Sequence, residues 1–131
     1  MATEDLGKCM TFTAGESLSS DQFKIVKLDT NGAVIKATAK TDVPVGILQN
    51  NPPSGGAASV CIEGKSKLIG GAALTIGAEV GADSLGMGTA ITVAAGGTVY
   101  NYAAARVLVA SGGSAGVTSV LVYNGGRPLL V

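Results

Sequence analysis

The sequence predicts an all-β protein, a compact glycine-rich β-sandwich or small β-barrel with an extended N-terminal arm. Three observations predict it. Strand-like runs recur every eight to twelve residues or so, with turn signals between them. Twenty of the 131 residues are glycine. No stretch sustains a helical period: "GGAALTIGAEVG" is the best candidate, and glycines 70, 71, 77 and 81 cut it too short to nucleate a helix. The length fits one domain with a modest core. Residues 1–14 form the arm, and residues 15–131 form the β domain with a short apolar C-terminal tail.

The elements follow in order. "MATEDLGKCMTFTA" is charged at its start and then alternates apolar residues around Met10 and Phe12, as an extended segment lying on another subunit or partner would. "QFKIVKLD" and "GAVIKAT" flank Asn31-Gly32, which offers the positive φ angles of a tight hairpin. "VPVGILQ" and "AASVCIEG" flank "NNPPSGG", whose prolines and glycines force a loop. "KSKLI", "EVGAD" and "TAITVA" are the next strands, with Gly96-Gly97 a turn. "ARVLVAS" and "VTSVLVY" surround "GGSAG". The last of these carries Val117, Leu121 and Tyr123 on one face and Val120 and Val122 on the other, so it is central or covered on its outer side.

Ser84 to Ala105 contains no charge and is long enough to cross a bilayer, but Gly86, Gly88, Gly96, Gly97 and several threonines dilute it. It is expected to form strands and loops facing the core and neighbouring protein. The start "MATEDLGKC" has neither a basic region nor an apolar one behind it, so a soluble protein made inside a cell is expected. "LGKC" at Leu6 to Cys9 is a poor lipoprotein box, because Lys8 stands where a small residue is needed. With no export signal, Cys9 and Cys61 are expected to be reduced, with Cys61 a packing thiol.

Net charge is zero, which favours neither nucleic acid nor an anionic membrane as partner. Charged residues are 14% of the chain, against about 25% in an ordinary domain. Residues 71–131 carry only Glu79, Asp83, Arg106 and Arg127. So small a domain cannot bury half its chain, so much of that uncharged half is surface that expects a protein partner.

Catalytic motifs fail on their own chemistry. "GGSAG" at Gly112 to Gly116 matches the G-x-S-x-G elbow of serine hydrolases, but the chain has no histidine to take the Ser114 proton. A fluorophosphonate probe is expected to leave Ser114 unlabelled. "EGKS" at Glu63 to Ser66 lacks the first glycine of a phosphate loop, with Ser59 in its place, and no helix follows. Lys65 and Lys67 are expected to solvate one strand face. Glu63, Glu79 and Asp83 could pair as glycosidase carboxylates, but nothing sets them in a cleft and aromatic residues are few. Clustered metal ligands are missing too, so the expectation is a non-enzyme without metal or cofactor.

The order "AGESL", "VPVGILQN", "ASVCIEGKSKL", "AALTIGAEVGAD", "AARVLVASGGSAGVTSVLV" resembles the small decoration, or cement, proteins of tailed bacteriophages, from Ala14 to Val122. The resemblance implies a β domain on the outside of an expanded icosahedral head, made in the host cytoplasm and stabilising contacts between capsomers of the major capsid protein. It implies homotrimers at three-fold or quasi-three-fold positions and an arm that orders on binding. Thr3, Glu4, Asp5, Leu6, Lys8, Met10 and Phe12 would then belong to the interface. "NGGRPLLV" departs from the family by running beyond its usual last strand, so Arg127, Leu129, Leu130 and Val131 are expected to make a contact special to this chain. The alternative is another virion structural or adhesive module of a tail, fibre or surface.

Overall fold

A computed structural model describes residues 8–93, 97, 99–110, 113 and 115–131. The chain is all-β, a curled antiparallel half-barrel sheet. Its strands are β1 (Lys8–Thr13), β2 (Ile25–Leu28), β3 (Val34–Lys36), β4 (Gly46–Leu48), β5 (Ala57–Ile69), β6 (Glu79–Ala82), β7 (Gly88–Ala90), β8 (Tyr100–Val107) and β9 (Val117–Leu130). Their order is β3-β2-β4-β5-β9-β8-β6-β7, with β1 alongside β5. The ends of this order curl towards each other: Ile25 N–H donates to the Gly86 carbonyl at 2.8 Å, and Tyr102 N–H to that of Lys40 at 2.8 Å.

The sheet is built from one unit used twice. β2 pairs with β3 and β4, and β4 with β5. In the same way β6 pairs with β7 and β8, and β8 with β9. β1 lies against residues 57–63 of β5 as residues 64–69 of β5 lie against β9. The loops repeat as well. Gly15 N–H donates to Val34 and Gly71 N–H to Gly88, both at 2.8 Å. Gln49 N–H donates to Ser59 at 2.7 Å and Leu108 N–H to Ser119 at 2.8 Å. β5 serves both units, and it changes partners at Gly64, whose φ of 98° bends the strand.

Both hairpin turns use the same chemistry. The Asp29 carboxylate accepts from the N–H groups of Asn31 and Ala33 at 2.8 and 3.0 Å, and that of Asp83 from Leu85 and Met87 at the same distances. Each aspartate thereby closes an Asx-type turn completed by Gly32 or Gly86. Only Gly32 of the expected Asn31-Gly32 pair takes a positive φ, and Asn31 instead donates its N–H to the Asp29 carboxylate.

The repeat also accounts for two backbone outliers. Phe23 (φ 67°) and Ala115 (φ 63°) are left-handed without being glycine. Phe23 N–H donates to Leu48 at 2.7 Å, as Gly77 N–H (φ 85°) donates to Val107 at 2.8 Å. Ala115 N–H donates to Gly70 at 2.7 Å, as Gly55 N–H (φ 79°) donates to Ala14 at 2.8 Å. Each outlier holds a position that the other unit gives to glycine. Ala115→Gly is therefore expected to stabilise the protein by about 0.5–1 kcal/mol, and Gly55→Ala to destabilise it by about 1 kcal/mol, measured by denaturant unfolding.

The units stack through their faces. The first has its own core of Ala14, Leu18, Val26, Val34, Leu48, Ala58 and Val60, with Phe12 packed against it. The second builds its core from Leu74, Val80, Val107 and Val120, the counterparts of Leu18, Val26, Leu48 and Val60. Ile25, Ile47 and Cys61, on the opposite face of the first unit, join that second core. One cluster thus glues the two units together.

Several elements differ from the sequence reading. "AASVCIEG" and "KSKLI" are one strand, because Gly64 bends β5 without ending it. "TAITVA" contributes only its start, in β7. Gly96 is outside the described residues, and β7 and β8 on either side of it each pair with β6 rather than with each other. "NGGRPLLV" is not a tail: Ala103 to Tyr100 of β8 pair with Arg127 to Leu130 of β9. Lys8–Thr13, from the segment expected as an arm, is a strand of the chain's own sheet. No helix among the described residues is long and apolar enough to cross a membrane.

Candidate interaction surface

The outer face of the second unit is set by the ladders. Lys65 opposes Leu121, Leu121 opposes Arg106, and Arg106 opposes Glu79, which places all four side chains in one row. Their counterparts in the first unit are Cys9, Cys61, Ile47 and Ile25. There the last three are buried beneath the second unit. Among the described residues no third unit stacks on the same face of the second unit, and its row carries Lys65, Leu121, Arg106 and Glu79 instead.

Its centre is Glu79. Oε1 accepts from Arg106 Nε and Nη2 at 2.9 and 2.7 Å, from the Tyr123 hydroxyl at 2.8 Å, and from Arg127 Nη1 at 3.4 Å. Oε2 is buried and has no hydrogen-bond partner among the described residues. Three of the four charges of residues 71–131 meet here, tying β6, β8 and β9. Burial pushes the Tyr123 phenol above its ordinary value and its bond to Glu79 adds to this, so it remains a donor at neutral pH. The carboxylate likewise holds the Arg106 guanidinium in its charged form. Asp83, the fourth charge, is spent in its turn.

Apolar side chains surround this cluster. Leu121 is 43% exposed and Val117 55%, so β9 is central, as expected, but bare on its outer side. Among the described residues, ten of the thirteen exposed large apolar side chains come from residues 71–131. The uncharged half of the sequence is therefore the half that shows apolar groups to solvent. A concavity of about 450 Å³ lies beside the row, lined by Phe23, Gln49, Lys65, Ser66, Lys67 and Ser119. Lys67 Nζ stands 5.7 Å from the centre of the Phe23 ring. Lys65 and Lys67 are exposed on one strand face.

The residues singled out from the sequence fall into three groups. Thr3, Glu4, Asp5 and Leu6 lie outside the described residues, as does Ser114. Lys8 and Met10 are exposed on β1, while Phe12 is half-buried against the first core. Arg127 and Leu130 are exposed and Leu129 is half-buried at the end of β9. β1 pairs with β5 and the end of β9 with β8, so no ladder joins the two sets. Arg127 alone reaches the Glu79 cluster. Sequence reasoning missed Glu79 as the centre of a polar cluster; its signal was the scarcity of charge around it. No group of three metal-ligating side chains occurs among the described residues.

Among the described residues the arrangement is an antiparallel sheet whose outer face carries the Glu79 cluster within a surround of exposed apolar side chains. No protein-family model and no curated protein matches the chain. Among solved structures it is similar to the head fiber gp8.5 N base of bacteriophage phi29, with a TM-score of 0.59 and 10% identity over 93% of this chain and 98% of that one. That likeness is one of fold.

Proposed function

We propose that this chain is a structural protein of a phage head, a cement protein bound to the outside of the expanded icosahedral shell and stabilising contacts between capsomers of the major capsid protein. The observation that carries the reading is the outer face of the second unit, a packing face of the repeat on which Leu121 and Val117 are exposed among the described residues. The fold it shares with the base of a phage head fiber, over nearly the whole of both chains, supports the same setting. Many identical sites turn a modest affinity per copy into a strong stabilisation of the shell. Homotrimers at three-fold or quasi-three-fold positions, no catalysis, and contacts from residues 1–7 belong to this reading. A second reading, the foot of a projecting fibre, is favoured by the same likeness.

Binding of the purified full chain to expanded heads tests the face. Leu121→Asp puts a charge on an exposed side chain. It is expected to leave thermal unfolding unchanged and to weaken binding about tenfold or more. Unchanged binding would remove this face from the contact. The arm has its own test: a deletion ending at Gly7 spares β1, whereas one ending at Thr13 also removes the strand covering β5. Loss of head binding with an intact fold is expected from the shorter deletion.

A further inference from the structure

We propose that Cys9 and Cys61 are a thiol–disulfide site: a low-molecular-weight disulfide such as oxidised glutathione closes them into an intrachain bond that fastens β1 to β5. The two residues are distant in sequence, yet they are direct partners in the antiparallel β1–β5 ladder, the last regular pair before the register shifts at Lys8. Directly opposed residues of such a ladder have Cα atoms about 4.5–5.5 Å apart and side chains on one face. A disulfide spans about 4.4–6.8 Å between Cα atoms, so the backbone need not move. Cys9 is exposed and Cys61 is buried. Burial pushes the Cys61 thiol upward, the Glu63 carbonyl that accepts its S–H at 3.5 Å pulls it down, and the neighbouring Cys9 thiol raises it further.

The repeat gives this pair its purpose. At the same position of the second unit, Lys65 opposes Leu121. There the first strand of the unit is the second half of β5, held in place by the chain itself. Among the described residues, β1 is joined to the sheet through its ladder with β5 and the packing of Phe12. A Cys9–Cys61 bond supplies the covalent tie that continuity supplies in the second unit.

The chemistry balances in two exchanges. The accessible Cys9 thiolate attacks one sulfur of oxidised glutathione, the S–S bond breaks, and one glutathione thiolate leaves and takes up a proton. Cys61 then loses its proton and attacks the Cys9 sulfur, and the second glutathione leaves as a thiol. Two protein thiols are oxidised, and one glutathione disulfide is reduced to two thiols. Because burial keeps Cys61 protonated, the second exchange is expected to accelerate about tenfold per pH unit.

The test treats the folded full chain with oxidised glutathione and reads intact mass without reductant. The wild type is expected to lose two hydrogens and retain no glutathione, Cys61→Ala to hold one glutathione on Cys9, and Cys9→Ser to stay unmodified. Amide exchange across β1 is expected to slow about tenfold or more in the oxidised form. A stable glutathione adduct on the wild type, an unreacted thiol pair or a bond between two chains would overturn the site. Cys9→Ser lies at an exposed position, so its result does not depend on tolerance of a core substitution. Unchanged β1 exchange in the oxidised protein would overturn the fastening role.

Discussion

Gly46→Val is expected to destabilise the protein by about 3 kcal/mol or more, and the variant to be recovered largely unfolded. Gly46 sits at the start of β4, opposite Val26 in the β2–β4 ladder. A Cβ there would overlap the carbonyl oxygen of Cys61 and press on the Val60 side chain at 2.9 Å. The obstacle is backbone in the central strand of both cores, so no rotamer change relieves it. The counterpart of Gly46 in the second unit is Ala105, opposite Val80, where a methyl group fits and is fully buried. Urea unfolding of Gly46→Ala and Gly46→Val, with Ala105→Gly as the reverse substitution, checks the prediction. A Gly46→Val protein with wild-type stability would mean that β4 and β5 are not this close.

Glu79→Ala is the second large effect, about 2–3 kcal/mol. The glutamate is 15% exposed and its Oε1 gathers donors from β8 and β9. Its removal strands the half-buried Tyr123 hydroxyl and leaves Arg106 and Arg127 as like charges without a counterion. Both arginines are about half exposed, so solvent offsets part of that repulsion and holds the cost below that of a fully buried pair. Glu79→Gln keeps the shape and loses the charge, and is expected to fall between the wild type and Glu79→Ala. Thermal unfolding at low and high salt separates the contributions: the deficit of Glu79→Ala should shrink as salt screens the arginines. A deficit below about 0.5 kcal/mol would show that the cluster does not brace the sheet.

What the sequence disclosed was local. The Asp29–Ala33 hairpin was legible because a turn motif stood between two alternating runs. Its twin at Asp83–Met87 was not, because Leu85 occupies a position that offers no turn signal, and only Asp83 and Gly86 carry the motif. The repeat was hidden for the same reason. Val26 and Val80, Leu18 and Leu74, and Ser59 and Ser119 match, but most other equivalent positions differ. Ile25 and Ile47 are core while Glu79 and Arg106 form a polar cluster, since among the described residues only the first unit has a neighbour stacked on that face.

The end of β9 was misread because Gly125, Gly126 and Pro128 are strand breakers in sequence. In the fold, the two glycines take positive φ, and Pro128 opposite Tyr102 still belongs to the ladder. β1 showed its alternation but not its partner, which depends on register with a strand far along the chain. The pairing of Cys9 with Cys61 was invisible for that reason. The uneven charge, by contrast, pointed to the half of the chain that carries most of the exposed apolar groups. A half-chain nearly without charge had to expose apolar groups, and Val117, Leu121 and Leu130 do so.

The copy number of this protein in purified virus particles, by quantitative mass spectrometry against the coat protein, tests the cement role most directly. About one copy per coat subunit is the predicted result for a module repeated over the shell. A few dozen copies or fewer would move it to a fibre or tail, and its absence from particles would contradict a structural role altogether.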